Sequence, residues 1–291
     1  MTVEVALQTL LSALLTGCIY ALIAVGFTLV FGVLDIVNFA HGNVAMLAMF
    51  ATYVLFHAFG LDPYVSALIL APSFFLLGLA LYQGLFKKLV ELPHSTHIMV
   101  TLGLMIGTDN LANFIFGADL RGVNTSYTTA SVVLGDISLQ VARAMAAGVA
   151  VVVVSGIALF LKYTDFGKSI RAAASNRLGA KVCGINVERV YLISVALAVA
   201  AAALAGTVMM PYYLVSPVTG HEFLNKAFAI TVVGGMGSFG GALVASLIVA
   251  LVEAFGGLLL SPTLANAIVF GLLILVLLFR PSGLFGQRPI H

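Results

Sequence analysis

Long uninterrupted apolar stretches dominate the chain, at about 5–33, 42–60, 63–86, 97–117, 141–161, 190–215, 240–260 and 262–279, with a shorter one at 226–236. A helix rises 1.5 Å per residue, and about 20 apolar residues cross the hydrocarbon core of a bilayer. Eight of these stretches are therefore long enough to span, and the ninth reaches about halfway. They are continuous, whereas a membrane barrel needs ~10-residue segments of alternating polarity. The pattern predicts an all-α polytopic membrane protein with about eight transmembrane helices plus a short broken half-helix segment. It forms one transmembrane domain over 1–291, with no stretch long enough for a separate soluble domain. The polar, β-branched segment 118–140 is expected to form an extracytoplasmic loop with a small hairpin. Pro211 and Pro217 bracket the end of the sixth long stretch and read as helix stops.

Composition narrows the class. Of 291 residues, 62% are hydrophobic and only 8% are charged, against about 25% charged in a soluble domain. Soluble, disordered and nucleic-acid-binding readings are excluded, and the net charge of +2 argues no polyanion partner. Two cysteines, Cys18 and Cys183, build neither a disulfide framework nor a metal site. Leu15–Cys18 resembles a lipoprotein cleavage box. A secretory signal needs a basic start, however, and no Lys or Arg precedes Lys87, so an uncleaved first helix is expected.

The basic residues are clustered. Lys87 and Lys88 follow the third stretch, Arg280 and Arg288 lie in the tail, and six fall in one loop over 162–190: Lys162, Lys168, Arg171, Arg177, Lys181 and Arg189. Cytoplasmic loops carry the excess of Lys and Arg. These three places are expected to share the cytoplasmic side, with the N-terminus outside.

Three segments carry candidate chemistry. In 26–42 (GFTLVFGVLDIVNFAHG) an apolar run is interrupted and then resumes; if helical, Asp35, Asn38 and His41 line one face. Either this is a helix broken at membrane depth, where non-helical backbone needs protein or a water-filled cavity to satisfy it, or it is a cytoplasmic turn. In 234–241 (GGMGSFGG) five glycines make a continuous helix costly and allow close backbone approach. Thr28 to Gly32 and Thr231 to Gly235 share Thr, Val and Gly at equal spacing. Such paired interruptions point to a central site in repeat-built transporters, while small-residue packing through Gly237 and Gly241 is the simpler reading. The basic loop contains a helical pattern from Ser169 to Cys183, more than orientation alone requires, and reads as a docking element.

Polar residues inside spans are Asp109, Asn110, Asn113 and Glu253. Each lines a pathway or bonds to a neighbouring helix. His57, His94, His97, His221 and His291 fall at apparent membrane edges and read as solvated. No enzyme constellation survives. Gly167-Lys168-Ser169 lacks the leading glycine of a phosphate-binding loop, because position 162 is Lys. Energy must come from a partner or an ion gradient, and a gradient-driven secondary carrier or channel for small solutes is the alternative reading.

Four stretches together resemble the short integral-membrane permease subunit of branched-chain amino acid ABC importers: 26–47, 167–190, 227–254 and the tail LFRPSGLFG at 278–286. The resemblance covers essentially the whole chain in order. It implies a fold similar to that of the vitamin B12 and ribose importer permeases. The partners it implies are a second permease subunit, two cytoplasmic ATPase subunits and an extracytoplasmic substrate-binding protein, all set in membrane lipid with no nucleic acid. No cofactor is expected, ATP being bound by the partner subunits. By this likeness Asp35, Asn38, His41, Gly42, Gly234, Gly235, Gly237 and Ser238 border the translocation path, and Glu253 is placed there as an acid inside a span. Lys168, Arg171, Asn176, Arg177, Lys181 and Gly184 belong to the loop that couples to the ATPase. Branched-chain amino acids are the expected cargo, urea, amides and aromatic acids being carried by similar proteins. The Asp109–Asn110 pair is not a feature of that likeness.

Overall fold

The computed structural model describes residues 3–135 and 137–286. Arg288 and His291, read above as part of a basic tail and as an edge histidine, lie outside the described residues. Eleven helices and one hairpin account for the described chain. They are α1 (Val3–Leu34), α2 (His41–Phe59), α3 (Pro63–Leu89), α4 (His94–Phe116), the strands β1 (Ser131–Leu134) and β2 (Ile137–Gln140), and α5 (Val141–Tyr163). Then follow α6 (Asp165–Ser175), α7 (Arg177–Val182), α8 (Val187–Met209), α9 (Thr219–Gly234), α10 (Phe239–Leu259) and α11 (Pro262–Phe279). Seven helices, α1–α5, α8 and α10, are long and apolar enough to cross a membrane, and a shorter apolar helix covers Thr263–Phe279. The protein is an all-α polytopic membrane protein. The expected hairpin forms, with Ser131 opposite Gln140 and Val133 opposite Ser138, and α8 ends at Met209 just before Pro211.

Helices α1 and α8 form the centre, and α4 lies at the rim with most of its apolar surface exposed. The centre is built from small side chains. Ala196, Ala198, Ala201, Ala202, Ala203 and Ala205 of α8 are all buried. A Cβ on Gly206 of α8 would overlap the backbone of Ala45. Within a bilayer apolar burial no longer drives helices together, so small residues that let backbones meet carry the association.

Between α1 and α2 the helix is interrupted over residues 35–40. Asp35 closes α1 with φ 57°, a left-handed conformation that Asp tolerates better than most residues. The chain then runs without helix to a turn at Phe39 and Ala40, with Ile36, Asn38 and Ala40 buried in alternation. His41 restarts the helix beside Ile23, to whose carbonyl its Nε2 donates at 3.1 Å. Ile23 precedes the end of α1 by 11 residues, about 16 Å at 1.5 Å per residue, so residues 35–40 climb back along α1. The face that would group Asp35, Asn38 and His41 in a helix therefore does not exist. Asp35 is exposed, 3.6 Å from His94, while Asn38 turns inward and its Oδ1 accepts from the Ala40 N–H.

Two further expectations change. The short helix begins at Thr219, not 226, because His221, Glu222, Asn225 and Lys226 belong to its first turns. The loop helix expected over 169–183 is split. Asn176 is extended (φ −155°), ends α6, and its side chain accepts from Gly179 N to start α7, as an N-cap does.

Candidate functional site: a charged cavity and a basic end

A cavity of about 930 Å³ opens among α1, α5, α9, α10 and α11. Along α1 it reaches from Val5 to Tyr20, some 22 Å of helix. Its lining combines the polar Gln8, Ser12, Arg143, Glu222, Asn225, Lys226, Glu253 and Asn266 with the apolar Ala254, Val269 and Phe270. Lys226 Nζ donates to Tyr20 Oη at 2.6 Å and to Glu253 Oε1 at 2.8 Å, and Tyr20 Oη donates to Glu253 Oε2 at 3.0 Å. The Lys226 and Glu253 side chains are 16% and 25% exposed. Charges so placed persist because each offsets the other's desolvation. Arg143 stacks over the Tyr212 ring at 5.5 Å, and Glu222 accepts from Tyr213 Oη at 2.6 Å.

Beyond Tyr20 the same helices close. Thr28 and Thr231 share a hydrogen bond of 2.9 Å. A Cβ on Gly32 would lie 2.8 Å from Gly237 Cα, and one on Gly234 2.5 Å from the Gly241 carbonyl carbon. The threonine–glycine segments that matched by spacing thus lie against one another. Gly235 and Gly237 take positive φ, 102° and 81°, which ends α9 and frees its last carbonyls. Leu284 N–H donates to Val233 O at 2.9 Å and Phe285 N–H to Gly234 O at 3.0 Å. The chain tail is therefore the C-cap of the short helix. Ser238 starts α10, its Oγ accepting from Gly241 N.

The basic loop lies at this closed end. A second cleft of about 270 Å³ joins Gly32 and Gly237 to Ile170 and Arg171 of α6, and Lys87 pairs with Glu188 at 2.5 Å. Lys168, Arg171, Asn176, Lys181 and Gly184 are exposed, and Gly184 (φ 80°) turns the chain out of α7. Leu178 and Val182, one turn apart on α7, are 74% and 89% exposed. Arg177 instead stacks over Tyr191 at 5.6 Å. The Lys and Arg outside the clusters lie elsewhere: Arg143 and Lys226 in the cavity wall, and Arg121 against Tyr53 Oη and Phe116 O.

Of the residues expected along a path, Glu253 lines the large cavity and Gly237 the small cleft; Asp35, Asn38, His41 and Gly42 line neither. Gly42 lets α2 meet α9, since a Cβ there would overlap the Gly220 carbonyl. Two histidines expected to be solvated are engaged. His97 is buried, donating to Leu89 O at 2.6 Å, and His221 donates to Asp109 Oδ2 at 2.8 Å. Asp109 also receives Asn43 Nδ2 at 2.7 Å, so it ties α2, α4 and α9 together, while Asn110 and Asn113 face outward. Sequence reasoning missed Tyr20, Arg143, Lys226 and Asn43. A lysine next to a half-length apolar run and an arginine within a long one were the available signals.

The family described as branched-chain amino acid transport system permease component matches residues 9–278. The chain is 30% identical to the high-affinity branched-chain amino acid transport system permease protein BraD of Pseudomonas aeruginosa, over 98% of this chain and 97% of that one. It is 28% identical to the permease protein LivH of the corresponding Escherichia coli K12 system, over the same shares. A probable branched-chain amino acid transport permease protein LivH of Methanocaldococcus jannaschii is 27% identical over 94% of this chain and 90% of that one. No solved structure matches.

Proposed function

From its membership of the family of permease components of branched-chain amino acid transport systems, to which the chain belongs, we infer that this multi-pass membrane subunit forms half of an import path for branched-chain amino acids, driven by ATPases that dock on its basic end. The observation that carries this is the contrast along α1: a charged cavity from Val5 to Tyr20, closure at Thr28 and Gly32, and an exposed basic loop just beyond. The clustering of Lys87, Arg171 and Arg280 at the closed end supports a cytoplasmic assignment there and an outside N-terminus. In that orientation the cavity faces outward, where a substrate-binding protein delivers cargo, and the threonine–glycine contact is the inner gate. Gly234, Gly235, Gly237 and Ser238 form that gate. Asp35, Asn38, His41 and Gly42 fix the backbone wall beside it.

A second permease subunit completes the path. Two cytoplasmic ATPase subunits supply the energy, so this chain needs no cofactor or ATP site of its own. Exposed Leu178 and Val182 among Lys168, Arg171 and Lys181 give the docking face an apolar centre in a polar rim, the layout of a protein interface. The test is reconstitution of the complete transporter in proteoliposomes. L-leucine uptake is expected only with ATP and the binding protein. Uptake driven by a proton or sodium gradient without the ATPases overturns the reading.

A further inference from the structure

We propose that the large cavity is itself a headgroup site: it holds the α-carboxylate of an amino acid on Arg143 and Lys226 and its α-ammonium on Glu222 and Glu253. This rests on the permease reading and assigns its substrate contacts. The four side chains line the same cavity, and their formal charges sum to zero. A solute carrying one positive and one negative charge keeps that balance, whereas an anion or an amine leaves one charge in surplus.

Each group has capacity left. The lysine ammonium has three N–H donors and spends two, on Tyr20 and Glu253. Each Glu253 oxygen accepts one bond, from Lys226 or Tyr20, and keeps a second lone pair. Arg143 has no carboxylate within 4.0 Å among the described residues, and its Nε is buried without a partner. A buried N–H donor without a partner is costly. Its planar fork matches a carboxylate in two parallel bonds, and Tyr212 beneath it holds the plane in position. Ala254, Val269 and Phe270 in the same lining suit an aliphatic side chain. Binding exchanges part of the Lys226–Glu253 pairing for pairing with the solute, so the net gain is small. Small gain is what a site that must release its solute requires.

The test is equilibrium binding of L-leucine to the purified permease–ATPase complex without the binding protein, alongside 4-methyl-2-oxopentanoate, which lacks the ammonium, and 3-methylbutylamine, which lacks the carboxylate. Leucine is expected to bind at least about tenfold more tightly than either. Arg143→Gln should abolish the preference of leucine over the amine, and Arg143→Lys, which keeps charge without the fork, should fall between. Thermal unfolding of each variant complex separates misfolding from lost contact. Equal binding of the three solutes, absence of saturable leucine binding, or an unchanged preference in folded Arg143→Gln overturns the proposal. Charge-selective binding in a wild-type complex that shows no ATP-driven uptake supports the site and faults the permease reading instead.

Discussion

Helices α1 and α9 run together, yet their two ends are built on opposite principles. Around Tyr20 and Lys226 long polar side chains bridge the helices and line a cavity. Around Thr28 and Thr231 small residues let the backbones meet, and the space between them is gone. Side-chain size thus decides where this pair is open. The open end stores charge in pairs, and the closed end stores fit in glycine contacts. The first tolerates rearrangement, because a displaced ion pair can find a solute or water. The second does not, because backbone has no shorter form.

That contrast is open to attack, most severely at the closed end. Gly241→Leu places a side chain on the Gly234 carbonyl and is expected to cost ~3 kcal/mol through overpacking, read as a collapse in complex yield and unfolding temperature. A fully active Gly241→Leu would show that the closure is not a fitted contact. Lys226→Met leaves Glu253 uncompensated at the open end. A dry pair loses ~3–5 kcal/mol this way, but this pair borders a cavity, so about 2 kcal/mol is expected, and Lys226→Met with Glu253→Leu should recover most of it. Equal stability of the single and double variants would refute the pairing.

On the docking face, Arg171→Gln should lower leucine uptake per ATP hydrolysed several-fold with insertion intact. Arg177→Gln should do less, because its guanidinium is spent on Tyr191. Unchanged coupling in both variants removes the loop from the docking face. The smallest effect belongs to His221→Gln, which weakens one half-exposed bond to Asp109 and should cost about 1 kcal/mol or less, measured by thermal unfolding.

The spans were legible because each is an unbroken apolar run that no soluble core needs. The hairpin and the stop at Pro211 were equally local. What escaped was set by neighbours distant in the chain. Asp35, Asn38 and His41 carry a helical spacing by coincidence, since the positive φ at Asp35 and the packing of residues 36–40 on α1 override it. Asn176 sits inside an alanine-rich string that looks continuous, and its capping bond breaks it. The cavity wall draws Tyr20, Arg143, Lys226 and Glu253 from four helices spread over most of the chain. No local window contains two of them, and only helix packing assembles the group.

The tail cap carries a consequence for how the protein is made. The carbonyls of Val233 and Gly234 receive their donors from Leu284 and Phe285, some fifty residues later in synthesis. Until those residues are in place, the last carbonyls of α9 lack these donors, and buried backbone without a partner is expensive. Two helices, α10 and α11, must be inserted before the break can be sealed. The glycine break after α9 is thus sealed by residues that lie two helices further along the chain.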